Sequence, residues 1–157
     1  MRKVLVFGTF DCLHLGHLNF LKQAKKHGDY LIVVIARDVT VKKIKNRSPF
    51  RNEKERLKEV RNYKLVDKVA LGYKNNPYKI IKEMNPDVIC LGYDQKAFTK
   101  DLPKELRKKG LKIKIYRLKP YKPKKFHSML ITKKNGSVKI PKVLQKYLSF
   151  KEIKRAG

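Results

Sequence analysis

The sequence lacks any apolar run long enough to cross a membrane. Its longest apolar stretches, such as Tyr30 to Ala36 and Val88 to Leu91, are far shorter than the ~20 residues that a spanning helix needs. The apolar start, Val4 to Phe7, is too brief for the core of a signal peptide. We therefore expect no membrane partner and a cytoplasmic location.

Cysteine is scarce, because only Cys12 and Cys90 occur and each lies in an apolar segment. Neither belongs to a C-x-x-C pair, and no nearby histidine pair has the spacing of a zinc site. Both thiols are predicted to be reduced and structural. Cys12 lies inside the motif described below, so modification at that position is the alternative.

Acidic residues are also few: 13 Asp and Glu stand against 41 Lys and Arg, and the formal net charge is +28. The last third of the chain is more basic than the rest. Such a field attracts nucleotides, phosphorylated metabolites, nucleic acid and anionic membranes alike, so it indicates polyanionic partners without selecting one. Adaptation to high temperature is an alternative explanation, although the deficit of Glu argues against a simple network of ion pairs.

Two widespread phosphate-binding motifs are missing. The chain contains no Walker-A loop and no G-x-G-x-x-G segment. These absences argue against a kinase and against a dinucleotide-dependent dehydrogenase.

The chain does contain an alternation of apolar strands and amphipathic helices, and 157 residues suffice for one buried core. The predicted strands are Lys3 to Phe7, Tyr30 to Ala36, Lys68 to Leu71, Pro86 to Gly92 and Leu111 to Leu118. The predicted helices are Leu15 to His27, Asn52 to Tyr63, Pro77 to Met84 and Pro103 to Lys109. This order implies an α/β fold with a Rossmann-like, doubly wound, parallel five-stranded sheet. Residues 1–134 should form this single domain, and residues 135–157 a basic C-terminal helical extension packed on it.

The most informative segment is Gly8 to His17, which reads G-T-F-D-C-L-H-L-G-H and connects the first strand to the first helix. Open α/β sheets bind ligands at this place. Gly8 lets the strand end sharply, Thr9 offers a hydroxyl and an amide to a phosphate, and His14 and His17 converge on the helix amino terminus. Two histidines at this spacing would by themselves be interpreted as helix caps, so the whole string decides the interpretation.

That string resembles, at every fixed position, the G-T-F-D-x-L-H-x-G-H signature of the cytidylyltransferase-like nucleotidyltransferase superfamily. The resemblance implies transfer of a nucleoside monophosphate from a nucleoside triphosphate, with release of pyrophosphate and no covalent enzyme intermediate. His14 and His17 would hold the triphosphate and stabilise charge on the transferred α-phosphate, and Gly16 would let the base pack closely. Mg²⁺ or another divalent cation should bridge the phosphates, and its protein ligands stay unknown.

The segment Ala36 to Lys45 resembles the lysine-bearing acceptor loop of the family. On this resemblance Lys42, Lys43 and Lys45 are candidates to bind the acceptor phosphate, and Lys42 and Lys45 are also candidates for catalysis. A solvated basic loop is the alternative for each lysine.

Two further residues are assigned to the acceptor phosphate by the resemblance. Asp11 belongs to the signature itself, and Arg56 matches the position of an E-x-R motif in the relatives. Arg56 is either directed at a phosphate or paired with Glu53 or Asp38.

The segment Leu91 to Gln95 is similar to the G-x-D segment of the family, whose aspartate contacts the nucleotide. Asp94 is assigned this role, with a turn cap as the alternative. Residues 119–128 lie where the superfamily has its second signature; Ser128 keeps the first serine, but Met129 and Leu130 replace the hydroxyl residues that follow. The predicted nucleotide site consists of Gly8, Thr9, Phe10, His14, Gly16, His17, Asp94, Tyr121 and Ser128.

The string that ends in Phe126-His127-Ser128 and the A-R-D segment at Ala36 are most similar to the archaeal FAD synthases, which adenylylate FMN with ATP. ATP and FMN are therefore the expected substrates, and a homodimer is expected because it is common in the superfamily. Two alternatives stay open. Glycerol-3-phosphate cytidylyltransferase, which makes CDP-glycerol, shares the first signature, but the altered second signature counts against it. A nucleic-acid-binding protein on the same scaffold would explain the charge, although no recognised module is present.

Overall fold

A computed structural model describes residues 1–96 and 99–120 of the chain. Five strands alternate with helices along the described residues. The strands are β1 (Lys3–Gly8), β2 (Tyr30–Ile35), β3 (Lys68–Leu71), β4 (Val88–Leu91) and β5 (Lys114–Arg117). The helices are α1 (Leu15–Lys25), α2 (Asp38–Lys45), α3 (Glu53–Arg61), α4 (Pro77–Met84) and α5 (Leu102–Lys108).

The five strands form one parallel sheet in the order β3-β2-β1-β4-β5. The direction of strand addition reverses at β1, which pairs with β2 on one side and β4 on the other. The predicted Rossmann-like parallel sheet is therefore confirmed. The crevice at the carboxyl ends of β1 and β4 is the switch point at which such sheets bind ligands.

Each face of the sheet is covered by its own buried cluster. Along β1, Val4 and Val6 face one cluster and Leu5 and Phe7 face the other, as the two-residue period of a strand requires. The first cluster takes its helical side chains from α1 and α3, and the second from α4 and α5. Strands covered on both faces explain why β1 and β2 are apolar at nearly every position.

The two cysteines contribute to this packing. Cys12 is 2% exposed, Cys90 is fully buried in β4, and both are free thiols. Burial raises the pKa of Cys90 to about 12, and burial together with the charge of Asp11 raises the pKa of Cys12. Low exposure and little thiolate at neutral pH both disfavour modification at Cys12. The structure therefore supports the structural interpretation of both thiols.

The largest correction to the sequence interpretation concerns residues 38–45, which were expected to be a loop and form helix α2. Asp38 lies in its first turn, and three lysines lie in its last turn, so the charges complement the helix dipole. Val41 is buried, and Asn46 ends the helix in the left-handed conformation, with φ of 55°. Burial of Val41 in the folded protein stabilises helix α2, and the lysine-rich sequence does not indicate this contact.

The two late strands are shorter than predicted. β4 contains Val88–Leu91, whereas a strand over Pro86 to Gly92 was expected. β5 begins at Lys114 instead of Leu111, because its register pairs Lys114 through Arg117 with the four residues of β4. The C-terminal extension, Tyr121 and Ser128 lie outside the described residues. No helix among the described residues is long and apolar enough to span a bilayer.

Candidate active site

The connection between β1 and α1 is held in a single conformation by close packing. A Cβ atom on Gly8 would lie 2.5 Å from the ring of Phe10, so only glycine allows this approach. Phe10 and Cys12 both adopt left-handed backbone conformations, with φ of 51° and 52°. Such conformations are costly for residues with side chains, and they persist here because Phe10 and Cys12 are 3% and 2% exposed. The packed core therefore preorganises the loop.

The two histidines of the signature cap helix α1 in a reciprocal arrangement. His14 Nδ1 accepts a hydrogen bond from the Gly16 amide at 3.0 Å, and His17 Nδ1 accepts one from the His14 amide at 3.3 Å. The two rings stack, with centroids 3.8 Å apart, and the ring of Phe10 lies 5.5 Å from that of His17. Because both Nδ1 atoms accept hydrogen bonds, each neutral ring carries its proton on Nε2. The capping box thus sets both tautomers.

Asp11 joins the signature loop to a loop 40 residues further along the chain. Its carboxylate accepts hydrogen bonds from the amides of Phe50, at 2.7 Å, and Arg51, at 3.0 Å. The side chain is only 2% exposed. Asp11 therefore connects two loops, and the contact with the acceptor phosphate that the resemblance implied stays a prediction.

Arg56 is fully buried and donates to three different segments. Its Nε reaches the carbonyl of Arg51 at 3.0 Å, its Nη1 that of Thr9 at 2.8 Å, and its Nη2 reaches Asp38 Oδ1 at 2.7 Å. The pairing with Asp38 is one of the two alternatives that the sequence left open. The guanidinium is 0% exposed and engaged with these protein acceptors, and the assignment of Arg56 to the acceptor phosphate stays a prediction.

A second ion pair, which the sequence did not reveal, fixes the start of helix α2. Glu53 accepts from Arg37 Nη1 at 2.7 Å and from the Asp38 amide at 3.3 Å. Arg37 Nε also donates to the carbonyl of Gly72, at 2.8 Å, just beyond β3. Arg37 therefore ties the carboxyl ends of β2 and β3 to helix α3.

The three candidate lysines lie in the last turn of α2, and all three side chains keep exposed surface. Partial burial of the ammonium, followed by the charge of Arg47, lowers the pKa of Lys45. The charges of Asp11 and Asp94 raise the pKa of Lys45, but these stronger effects oppose them. Lys45 ends helix α2, and the chain then continues to Phe50 and Arg51, whose amides donate to Asp11 in the signature loop.

The loop after β4 is attached to the switch point by Gln95, whose role the sequence did not indicate. Gln95 Nε2 donates to the carbonyl of Phe7 at 3.4 Å, and its Oε1 accepts from the Gly92 amide at 3.2 Å. Arg117 Nη1 donates to the carbonyls of Gly92, at 2.7 Å, and Gln95, at 2.9 Å. Asp94 is exposed in this supported turn.

Comparison with known proteins identifies the family. Residues 5–135 match the model of the Cytidylyltransferase-like family. The chain belongs to this family. It is 47% identical, over 77% of its length and 80% of the relative, to a protein named FAD synthase from Aciduliprofundum boonei. It is 40% identical to a protein of the same name from Thermoplasma acidophilum, over 85% of this chain and 94% of the relative.

A solved structure shares the fold of this family member. The structure, described as a lipopolysaccharide core biosynthesis protein from Thermoplasma volcanium, is 41% identical and has a TM-score of 0.74. The match covers 77% of this chain and 98% of the other. Sequence and fold therefore agree on a cytidylyltransferase-like nucleotidyltransferase.

The entry to the second signature of the family is anchored to helix α1. Gln23 donates through Nε2 to the carbonyl of Lys119 at 3.0 Å and accepts from the Lys119 amide at 3.2 Å. The same Nε2 donates to Asn19 Oδ1 at 2.6 Å. A glutamine in an amphipathic helix carries no signal for this contact, so the sequence could not reveal it.

The described residues contain no group of three or more His, Cys, Asp or Glu side chains that could hold a metal ion. The only carboxylate in the signature, Asp11, is engaged with two amides. What the arrangement offers is a set of hydrogen-bond donors and cations around the carboxyl ends of β1 and β4. Such a set suits the positioning of phosphates better than the binding of a metal by protein ligands alone.

Proposed function

We propose that this chain transfers the adenylyl group of ATP to FMN, which gives FAD and pyrophosphate. The proposal rests above all on the 47% identity to a protein named FAD synthase over 77% of the chain. A further relative of that name, from Thermococcus sibiricus, is 42% identical over 76% of the chain. The reaction uses ATP, so we also propose that the protein acts in the cytoplasm.

In this reaction a phosphate oxygen of FMN attacks the α-phosphorus of ATP. A new phosphorus–oxygen bond forms, and the bond from the α-phosphorus to the oxygen that bridges it to the β-phosphate breaks. Pyrophosphate leaves with that electron pair. Because the protein forms no covalent bond to the substrate, its contribution is to position both substrates and to stabilise the charge of the transition state.

We assign the triphosphate to the amino terminus of α1. His14 and His17 would donate from Nε2 to phosphate oxygens, since their Nδ1 atoms accept backbone hydrogen bonds. The helix terminus adds its dipole and its amides. Asp94, in the turn held by Gln95 and Arg117, would contact the ribose or base. Gly8, Thr9, Phe10 and Gly16 would shape the rest of this site.

We assign the phosphate of FMN to Lys45, which ends helix α2 directly before the turn at Asn46, in the segment that continues to Phe50 and Arg51, whose amides donate to Asp11. Lys42 and Lys43, in the same helical turn, would strengthen the positive field around the acceptor. Asp11 and Arg56 act through other groups and are positioning residues in this proposal. They connect the signature loop to the loop and helix that carry the lysines.

Mg²⁺ fits this site as a partner of the phosphates. The described residues hold no cluster of ligands for it, so the triphosphate and water would supply most of its coordination. When bound there, the ion would neutralise charge on the phosphates and favour departure of pyrophosphate.

The test is a pyrophosphate-release assay of the purified protein with Mg²⁺, in which ATP and CTP are crossed with FMN and glycerol 3-phosphate. Mass spectrometry should identify FAD from ATP plus FMN. CDP-glycerol from CTP plus glycerol 3-phosphate would refute the proposal in favour of the alternative. A homodimer, expected from the family, is tested by sedimentation of the same sample.

A further inference from the structure

Large apolar side chains with substantial exposure are concentrated at one edge of the described part of the sheet. Five of the seven follow the carboxyl ends of β2, β3 and β4, the edge that carries the signature loop. The five are Val39, Ile44, Phe50, Tyr73 and Tyr93. Apolar surface beside a ligand-binding crevice indicates contact with an apolar part of a ligand or partner.

Two of these five side chains, those of Ile44 and Phe50, are close to Lys45 in the sequence. Ile44 and Phe50 are each 55% exposed, and Ile44 immediately precedes Lys45 at the end of α2. The left-handed turn at Asn46 then leads the chain back toward the signature loop. The guanidinium of Arg47 lies 5.8 Å from the centre of the Phe50 ring. An aromatic ring, an aliphatic side chain and two cations thus share one short segment.

The backbone beneath the Phe50 ring is fixed. Its amide donates to Asp11 Oδ2 at 2.7 Å, and the next amide, of Arg51, donates to Asp11 Oδ1 at 3.0 Å. The carboxylate that holds this backbone is almost completely buried. Phe50 therefore presents an exposed ring from a backbone that is already held by hydrogen bonds, so binding a ligand costs little backbone entropy there.

We infer that Phe50, together with Ile44 and Arg47, receives the isoalloxazine ring of FMN, while Lys45 binds the phosphate of the same molecule. This inference rests on the proposed function and names its acceptor subsite. A planar aromatic ring suits stacking on Phe50 and on a guanidinium, and a phosphate suits the neighbouring ammonium. Glycerol 3-phosphate has no ring to occupy the apolar surface.

A second copy of the chain is a less suitable occupant of this surface. A two-fold interface centred on this patch would place the same residues of both copies together, and the segment that carries the patch contains Lys42, Lys43, Lys45 and Arg47. Like charges would then face each other across the interface. An aromatic ligand with a phosphate group satisfies both the apolar and the charged components of the segment.

The inference is tested by measuring the affinity of the intact protein for FMN and for riboflavin, which has the ring without the phosphate. Phe50→Ala should weaken the affinity for both ligands by a similar factor of about tenfold, which is the scale of one lost aromatic stacking contact. Phe50→Tyr keeps a ring and should restore both affinities. Tyr116→Ala removes an exposed aromatic side chain that is not among these five and that stacks on His27, and it serves as the matched control, with both affinities unchanged.

Lys45→Met tests the phosphate-binding part of the subsite separately from the part that binds the ring. This substitution should weaken the binding of FMN and change the affinity for riboflavin by less than about twofold, because only FMN carries the phosphate. If Phe50→Ala left riboflavin binding unchanged, the ring would not occupy this surface and the inference would be overturned. A wild-type protein that binds neither ligand would overturn it as well.

Two further results distinguish this inference from the proposed function. Formation of FAD by the wild-type protein, with unchanged flavin affinity in Phe50→Ala, would refute the subsite and leave the function standing. Flavin affinity that depends on Phe50, without formation of FAD, would refute the function and support the subsite. Conversion of a dimer to a monomer by Phe50→Ala, with flavin affinity unchanged, would assign the patch to self-association and overturn the inference.

Discussion

The two sides of the candidate site are built differently. The signature loop, which we assign to the nucleotide, is buried and constrained, with Phe10, Asp11, Cys12 and His14 all at most 5% exposed. The segment from Lys42 to Phe50, which we assign to the acceptor, is largely exposed, and Asp11 connects it to the signature loop. A triphosphate needs fixed donors in all members of such a family, whereas the acceptor side must suit one particular substrate. The greater burial of the signature loop and the greater exposure of the segment from Lys42 to Phe50 agree with these two requirements.

The largest effect is expected on the constrained side. His17→Ala should lower kcat by roughly 100- to 1,000-fold, the loss that follows removal of one donor to the transition state. The measurement is pyrophosphate release, with circular dichroism to verify that the fold is retained. His27→Ala is the matched control, because His27 stacks on Tyr116 at 4.4 Å and is assigned no role in the site. Equal activity of the two variants would contradict the role of His17.

The next-largest effect is expected at Arg56, whose buried guanidinium contacts Thr9 in the signature loop and Asp38 at the start of helix α2. Arg56→Met should destabilise the protein by about 3 kcal/mol, because it leaves the carbonyls of Thr9 and Arg51 without their donor and Asp38 without its partner. Urea denaturation measures this change. Arg61→Met, at an exposed arginine of the same helix, is the control and should change the free energy of unfolding by less than about 0.5 kcal/mol. A comparable loss in both variants would show that Arg56 has no special structural role.

A smaller effect is expected where the two sides are connected. Asp11→Asn leaves one acceptor for two amides and should cost about 1–3 kcal/mol. If the connection positions the acceptor segment, the KM for FMN should rise more than the KM for ATP. An equal rise of both KM values would instead indicate that Asp11 serves the whole site, and the comparison between the sides would need revision.

The smallest expected effect is a shift in the pH at which the affinity for FMN declines. Partial burial and the charge of Arg47 lower the pKa of Lys45 below its usual value of 10.5, so its positive charge is lost at a lower pH than in an ordinary lysine. The affinity for FMN should therefore decline as pH rises through that lowered pKa. Lys45→Arg keeps its charge at alkaline pH, and it should move the decline to higher pH. An identical pH profile for both proteins would exclude Lys45 from binding the phosphate.

Elements with clear sequence boundaries were predicted accurately. Strand β3 and helix α4 agree with the prediction at every residue. Asn76 caps α4, Pro77 follows at its first position, and Asn85 ends the helix in the left-handed conformation. Helix α2 was missed because its lysines resemble a solvated loop, and the burial of Val41 becomes visible only when the helix is packed.

The sequence by itself determined the parallel α/β sheet, the position of the signature loop at the end of β1, and membership of a nucleotidyltransferase family. These features depend on local patterns, namely continuous apolar strands that alternate with amphipathic helices and a string of ten adjacent residues. The tertiary structure alone decided that Arg56 is buried against Thr9 and Asp38 and that Asp11 holds Phe50 and Arg51. Each of these contacts joins segments far apart in the chain, and their partners are selected by the space and hydrogen-bonding groups that remain once the sheet and helices have packed.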